Sequence, residues 1–470
     1  MSEKTEKQTD ERRKTLLQER KNGYDRLTDA DKAAIGPFAA DYMAFLDAAK
    51  TEREAVTETV RLAQAAGFRP YVRGEAVKPG DRLYRVNRDK AITLAVIGQK
   101  PLAEGTRIAA AHIDNPRLDL KPNPLYEDGE MAYFKTHYYG GIKKYHWPVI
   151  PLAIHGVVAK KDGSVVTVNI GEAEDDPVLV ITDLLIHLAS DQLRKSLAEG
   201  IPAENLNVLL GSMPLEGDEG ADRVKLAVMI LLHEKYGITE ADFQSAELCV
   251  TPAGRAREVG LDRSMVGGFG HDDRVCSYAA LAPLLEPDFA PQYTSVCTLA
   301  DKEEIGSEGV TGMQSAFFDT FLEDLCQAQG SPLRACYEAS KCLSADVTNA
   351  FDPVFAEVHD QRNNARANYG AAICKYTGAR GKSGASDASA ELMGWLRRVL
   401  EDRGVIWQTA ELGKVDQGGG GTVAVYMAKR NIDTVDIGVP VLSMHAPFEV
   451  VTKLDLYMTM RAMEAFYQAE

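Results

Sequence analysis

Five short stretches set an imidazole or a carboxylate at the end of an apolar run: His112 and Asp114 in AAAHIDNP, His271, Asp272 and Asp273 in GFGHDDRV, Glu303 and Glu304 in ADKEEIGS, Asp346 in CLSADVTN, and His445 in VLSMHAPF. Each alone has a plain structural explanation. A histidine closing a strand is commonly just a satisfied residue, an aspartate before a helix caps it, paired glutamates suit a solvated turn, and Asp346 suits an Asx-turn. The combination points elsewhere. Two histidines with three or four carboxylates make a mixed N/O donor set suited to zinc, manganese or cobalt and unlike a thiolate site. In HxD spacing a carboxylate can hold the second ring N–H of a metal-binding imidazole. A carboxylate in the HDD stretch has one oxygen for each of two ions. Glu303 and Glu304 are costly to bury without a cation beside them; one can bind metal while the other moves a proton. Two ions sharing a carboxylate would polarise a carbonyl and supply hydroxide near neutral pH.

Such groups converge only if strands deliver them. Ala91 to Ile97, Arg107 to His112, Leu248 to Thr251, Tyr293 to Leu299, Cys342 to Asp346, Ala371 to Tyr376, Thr422 to Met427 and Val439 to His445 read as strands, being short, apolar and β-rich. They alternate with helical periodicity over Asp273 to Leu285, Gln314 to Ala328, Ala388 to Arg403 and Lys453 to Gln468, and one or two further helices are expected between Pro37 and Phe68. Alternation of this kind predicts α/β layers, with ligands outside the carboxyl ends of the strands. The texture between 116 and 258 differs: Gly140 to Gly171 is β-rich and Leu206 to Leu210 is a further short apolar run, which predicts an inserted second domain. The Gly418 to Gly421 run reads as a turn or a pocket wall.

At 470 residues the chain exceeds one ordinary core, so two domains are expected. The net charge of −16 argues against a nucleic-acid partner, which would need clustered Lys and Arg. Seven cysteines without a CxxC pair suggest buried reduced thiols in place of disulfides or structural zinc. The charged N-terminal arm over 1–35 lacks an apolar leader segment, and no stretch reaches the roughly 18 apolar residues of a membrane span. A cytoplasmic location with no membrane partner is therefore expected.

From about Phe45 to the C-terminus the sequence resembles the aspartyl aminopeptidase family of metallopeptidases, bacterial members included, with all five motifs in the family's order. The resemblance implies a mixed-sheet α/β/α metallopeptidase domain formed by 1–115 and 259–470, carrying an inserted β-rich dimerisation domain over 116–258. It implies two divalent ions per subunit, Zn²⁺ with Mn²⁺ or Co²⁺ as alternatives. One would be held by His112, Asp272 and Asp346, the other by Asp272, Glu304 and His445. Asp114 would orient His112, and Glu303 would act as general base in hydrolysing the N-terminal residue of peptide substrates. A cis bond between Asp272 and Asp273 is expected on the same ground. His155 matches a histidine that reaches a neighbouring subunit's site, with a surface histidine as the plain alternative, and dimers assembling to a dodecamer are implied. Lys375 matches a lysine that pairs with an acidic N-terminal side chain. The competing functions are a related two-metal carboxypeptidase or deacylase, and a non-catalytic self-assembling scaffold.

Overall fold

A computed structural model describes residues 11–378 and 380–470. The first ten residues of the charged arm lie outside the described residues. The rest of that arm is shorter than expected, because the helix Asp29–Ala48 already starts within it. Thr28 begins this helix by accepting the Asp31 N–H while the Asp31 carboxylate accepts the Thr28 N–H, a reciprocal cap that satisfies two otherwise orphaned donors. Glu52–Ala65 follows, capped by Thr51, whose hydroxyl oxygen accepts the Glu54 N–H.

A nine-stranded mixed sheet organises the chain. Its order is Arg69–Pro70, Arg82–Asn87, Ala91–Val96, Thr294–Ala300, Thr106–His112, Lys341–Ala345, Asp433–Gly438, Ala371–Cys374 and Trp407–Thr409. The four central strands, Thr294–Ala300 to Asp433–Gly438 in that order, are mutually parallel. Parallel strands sandwiched between helices are buried on both faces, and every residue of Thr106–His112 and Thr294–Ala300 is buried. Alternate residues feed two cores. Ala109, Leu299 and Leu343 pack with the helices His271–Leu285, Ala390–Asp402 and Lys453–Tyr467 on one face. Ile108, Ala110 and Val296 pack with Phe317–Ala328 and Leu333–Ala339 on the other. This is the α/β/α layering.

A second, antiparallel sheet of seven strands runs from Arg117–Asp128 to Ala246–Pro252 in sequence and encloses its own core around Phe134, Trp147, Leu152 and Phe243. A third sheet of five short strands includes Met265–Gly268, Pro440–Leu442 and Glu449–Thr452. Seven cysteines are free and buried.

Two expected strands are corrected. Thr422 to Met427 contains a short helix, Ala424–Ala428. Its apolar run satisfies either period, and Ala424 and Met427, three apart, both bury on one side. Val439 to His445 is not one strand: Asp433–Gly438 occupies the central sheet, Pro440–Leu442 pairs in the third sheet, and Ser443 and His445 take positive φ of 58° and 63°. That bend brings His445 within reach of Asp272. Among the described residues, no helix is long and apolar enough to cross a membrane.

Candidate metal centre

The parallel strands end where the singled-out residues begin. His112 closes its strand, Asp346 follows Lys341–Ala345, and Glu303 and Glu304 start a single 3₁₀ turn after Thr294–Ala300. The Asp272–Asp273 peptide bond is cis, and neither residue has helical angles although the helix is counted from His271. Helix capping does not account for Asp273, because both of its carboxylate oxygens are buried and lack a partner among the described residues.

The geometry centres on Asp272. Its Oδ1 lies 3.2 Å from His112 Nε2 and its Oδ2 lies 3.0 Å from His445 Nε2. Asp346 Oδ1 is 3.7 Å from the same nitrogen of His112, and Glu304 Oε1 is 3.6 Å from that of His445. Each imidazole is oriented through its other nitrogen. His112 Nδ1 donates to the Asp114 carbonyl at 3.1 Å, and His445 Nδ1 donates to the Gly141 carbonyl at 2.8 Å. Both Nε2 atoms therefore face carboxylates. Asp114 is fully buried and accepts three further hydrogen bonds, from the Tyr139 hydroxyl and from the backbone N–H of Glu303 and of Glu304. One carboxylate thus fixes the turn that carries the glutamate pair.

Electrostatics follow from crowding. Burial and the neighbouring Asp346 and Asp114 push Glu303 up to about 8. Burial raises Glu304 and Asp346 as well. Asp272 departs from this pattern: burial opposes its ionisation, but hydrogen bonds from His112 and His445 outweigh it and hold the carboxyl well below the usual range. Burial also opposes a charged His445, yet Asp272 and Glu304 lift it to about 10. Buried carboxylates this close need cations. The donor atoms of His112, Asp272 and Glu304 lie within 4.8 Å of one another, as do those of His112, Asp273 and Asp346, so either trio could hold a divalent ion, with His112 common to both. Orphaned buried atoms, among them His112 Nε2 and Glu304 Oε1, fit that use.

A cavity of about 780 Å³ opens over the cluster, with Asp272, Glu303, Glu304, Asp346 and His445 at its floor. Gly419, Gly420 and Gly421 line its wall, so the glycine run is a pocket wall. Two singled-out residues lie apart from it. His155 is 1% exposed and bonds Glu54 through Nδ1 and Glu172 through Nε2, so it is no surface histidine and both ring nitrogens are engaged within its own chain. Lys375 is 43% exposed and its ammonium sits 2.5 Å from Asp387. His271 is a core residue: burial lowers it to about 3, and its Nδ1 accepts the Tyr42 hydroxyl at 2.6 Å.

Glu449 escaped the sequence reading. Its carboxylate, 1% exposed, accepts the backbone N–H of Asp272 at 3.1 Å and of His445 at 2.7 Å, joining the two loops that face each other across the cluster. A lone acid in the apolar PFEVV run is the signal that marked it. In Glu449→Gln one of those N–H groups would meet an amide NH₂. The expected result is a loss of roughly 1 to 3 kcal/mol in urea unfolding together with weaker zinc retention on dialysis; unchanged stability and retention would remove the clamp role.

Imidazoles and carboxylates gathered at the carboxyl ends of parallel strands, with an acidic residue beside them, are the build of a metal-dependent hydrolase. Residues 45–467 match the profile of the Aminopeptidase I zinc metalloprotease (M18) family. A probable M18 family aminopeptidase 1 of Clostridium acetobutylicum is 48% identical over 459 residues, 96% of this chain and 98% of that protein. The crystal structure of an M18 aminopeptidase from Thermotoga maritima superposes with a TM-score of 0.92 at 44% identity, over 96% of this chain and all of that one. The S. cerevisiae mApe1 dodecamer shares the fold, with a TM-score of 0.74 at 18% identity over 91% and 96% of the two chains. The chain belongs to the M18 family and is a metalloaminopeptidase.

Proposed function

We propose that the chain removes single N-terminal residues from peptides with two divalent cations, one held by His112, Asp272 and Asp346 and the other by Asp272, Glu304 and His445. The observation that carries this reading is the position of Asp272, whose two oxygens face two different imidazoles. When bound, such ions act as Lewis acids on the scissile carbonyl. The protein's own part begins with Asp114, which orients His112 and holds the Glu303 backbone. Glu303, paired with no Lys or Arg among the described residues, takes a proton from the attacking water and returns it to the leaving amine. Zinc is the metal that the family description favours.

Neutral N-terminal residues suit the cavity better than acidic ones. Val347, Leu412, Val425 and Met444 line it together with Lys429, whereas Lys375, the lysine that the resemblance ties to an acidic preference, is already paired with Asp387. The test is a panel of peptides with N-terminal Leu or Glu, each free or N-acetylated. Cleavage confined to free amines is expected; equal cleavage of acetylated peptides would support the deacylase reading instead. In Lys375→Ala the Glu-to-Leu ratio of kcat/KM should change by less than about threefold, because an exposed ion pair is worth roughly 0 to 1 kcal/mol. A tenfold fall in Glu cleavage would restore the acidic preference.

We assign residues 116–258 as the unit through which copies of this chain associate, with the mApe1 dodecamer as the precedent for the assembly. Light scattering measures it. A scaffold has no physical need for clustered buried carboxylates, which argues against the non-catalytic reading. The net charge of −16 argues against a nucleic-acid partner.

A further inference from the structure

The cavity over the cluster is lined almost entirely by charges of one sign. Asp272, Glu303, Glu304, Asp346 and Asp436 border it, and Lys429 is the one lysine or arginine among its described lining residues. Divalent ions answer the acids that hold them. Lys429 is then the lining side chain left to answer an anionic part of a substrate.

That lysine is uncommitted. It follows the short helix Ala424–Ala428, its backbone N–H donating to the Val425 carbonyl at 3.1 Å, and Val425, Tyr426 and Lys429 all line the cavity. The side chain is exposed, and its ammonium lies 5.4 Å from the centre of the Tyr426 ring. Contact with a ring face steadies the cation but gives its three N–H donors no acceptor. Glu308, an acid near the Tyr426 hydroxyl, accepts the Gln314 amide at 3.1 Å.

Tyr426 decides which part of a peptide meets this lysine. Its hydroxyl donates to the Gly306 carbonyl at 3.2 Å, and the Gly306 N–H donates to the Glu303 carbonyl at 2.9 Å, so the short helix is tied to the turn that carries Glu303. A base that hands its proton to the leaving amine stands on the side where the leaving portion lies. The cavity, about 780 Å³, falls within the roughly 300 to 1,000 Å³ of pockets that enclose small ligands, which suits a peptide of a few residues.

We propose that Lys429 determines specificity for the leaving portion of the substrate, its ammonium binding a carboxylate there: the free C-terminus of a short peptide, or an acidic side chain beyond the cleaved residue. This rests on the proposed peptidase function and adds a substrate class to it. The contact is made away from the scissile carbonyl, equally in ground and transition states, so it lowers KM and leaves kcat nearly unchanged.

The test compares Leu-Gly-Gly, Leu-Gly-Gly-amide and Leu-Gly-Glu-amide on zinc-loaded protein. KM for Leu-Gly-Gly should lie about tenfold below that of its amide, the scale of one charge-assisted hydrogen bond, and the gap should narrow in added salt. Leu-Gly-Glu-amide identifies the source: a KM restored to that of Leu-Gly-Gly admits acidic side chains, and one that stays high restricts the site to the terminal carboxylate. In Lys429→Met, which removes the charge and keeps the stem, the three substrates should converge. Calorimetry on zinc-loaded Glu303→Gln protein, where turnover is blocked, should show the same tenfold difference in binding between Leu-Gly-Gly and its amide. Equal KM values for all three in the parent protein, or a gap that persists in Lys429→Met, overturns the proposal. So does an effect of Lys429→Met confined to peptides with N-terminal Glu, which would put the lysine beside the cleaved residue. A parent protein that cleaves none of the free-amine peptides rejects the peptidase reading and this inference with it; one that cleaves all three alike rejects the inference only.

Discussion

Glu303→Gln is expected to lower kcat by roughly 10² to 10⁴-fold, the usual contribution of a positioned proton-transfer group, while zinc content and unfolding temperature stay unchanged. Gln keeps the shape of the side chain but cannot accept a proton. The backbone contact that positions residue 303, its N–H donating to Asp114 Oδ1 at 3.0 Å, does not involve the side chain. Among the described residues the carboxylate pairs with no lysine or arginine, so its replacement strands no partner. The pKa of about 8 that burial and Asp346 give this group would fall once cations neutralise its neighbours, which places it where a base at neutral pH is most effective. Activity within a few-fold of the parent protein would eliminate Glu303 as the base, and loss of zinc along with activity would make it a ligand.

Stripping the protein of metal should make its stability fall as pH rises from about 5 to 8, with zinc restoring it most at the upper end. The sign comes from the acids. Glu449 is pushed up to about 8 by burial and then by Asp272, against an ordinary 4.5; burial carries Asp436 and Asp455 to about 7 from 3.8. The folded chain keeps these protons where the unfolded chain has released them. It therefore binds more protons across this window, and unfolding becomes easier as each proton is withdrawn, on the order of a few kcal/mol per group in total. Divalent ions favour the ionised carboxylates, so binding tightens as pH rises. At a thousandfold excess over Kd each ion contributes about 4 kcal/mol. Urea unfolding of chelated and zinc-loaded protein at pH 5, 6.5 and 8 measures both trends. A chelated protein more stable at pH 8 than at pH 5 would contradict the account.

Much of the centre was legible because parallel strands buried on both faces can deliver polar residues only at their ends. His112, Asp346 and the pair Glu303 and Glu304 stand out against apolar runs for that reason. What stayed hidden depends on contacts between distant positions. Glu449 meets Asp272 across 177 residues, and the Gly141 carbonyl meets His445 across 304; no local pattern encodes either distance. Thr422 to Met427 misled because an apolar stretch this short satisfies both periods, and which one prevails depends on the strand, Asp433–Gly438, that takes the place in the sheet. His155 and Lys375 were singled out by resemblance alone, and within one chain neither lies against the cluster. The residue types are present, but Glu54 and Glu172 in one case and Asp387 in the other occupy their polar atoms.

The strand Met131–Tyr139 of the seven-stranded sheet ends in two contacts with the centre: the Tyr139 hydroxyl on Asp114 and the Gly141 carbonyl under His445. The inserted segment is thus a structural member of the metal centre. A trimmed enzyme built by excising 117–252 and splicing the ends would lose the acceptor that sets one imidazole and the donor that steadies the pivotal aspartate. Miniaturisation of this peptidase has to keep the open end of the hairpin, where the strand Met131–Tyr139 runs on to Gly141, and look for dispensable parts farther along the insert.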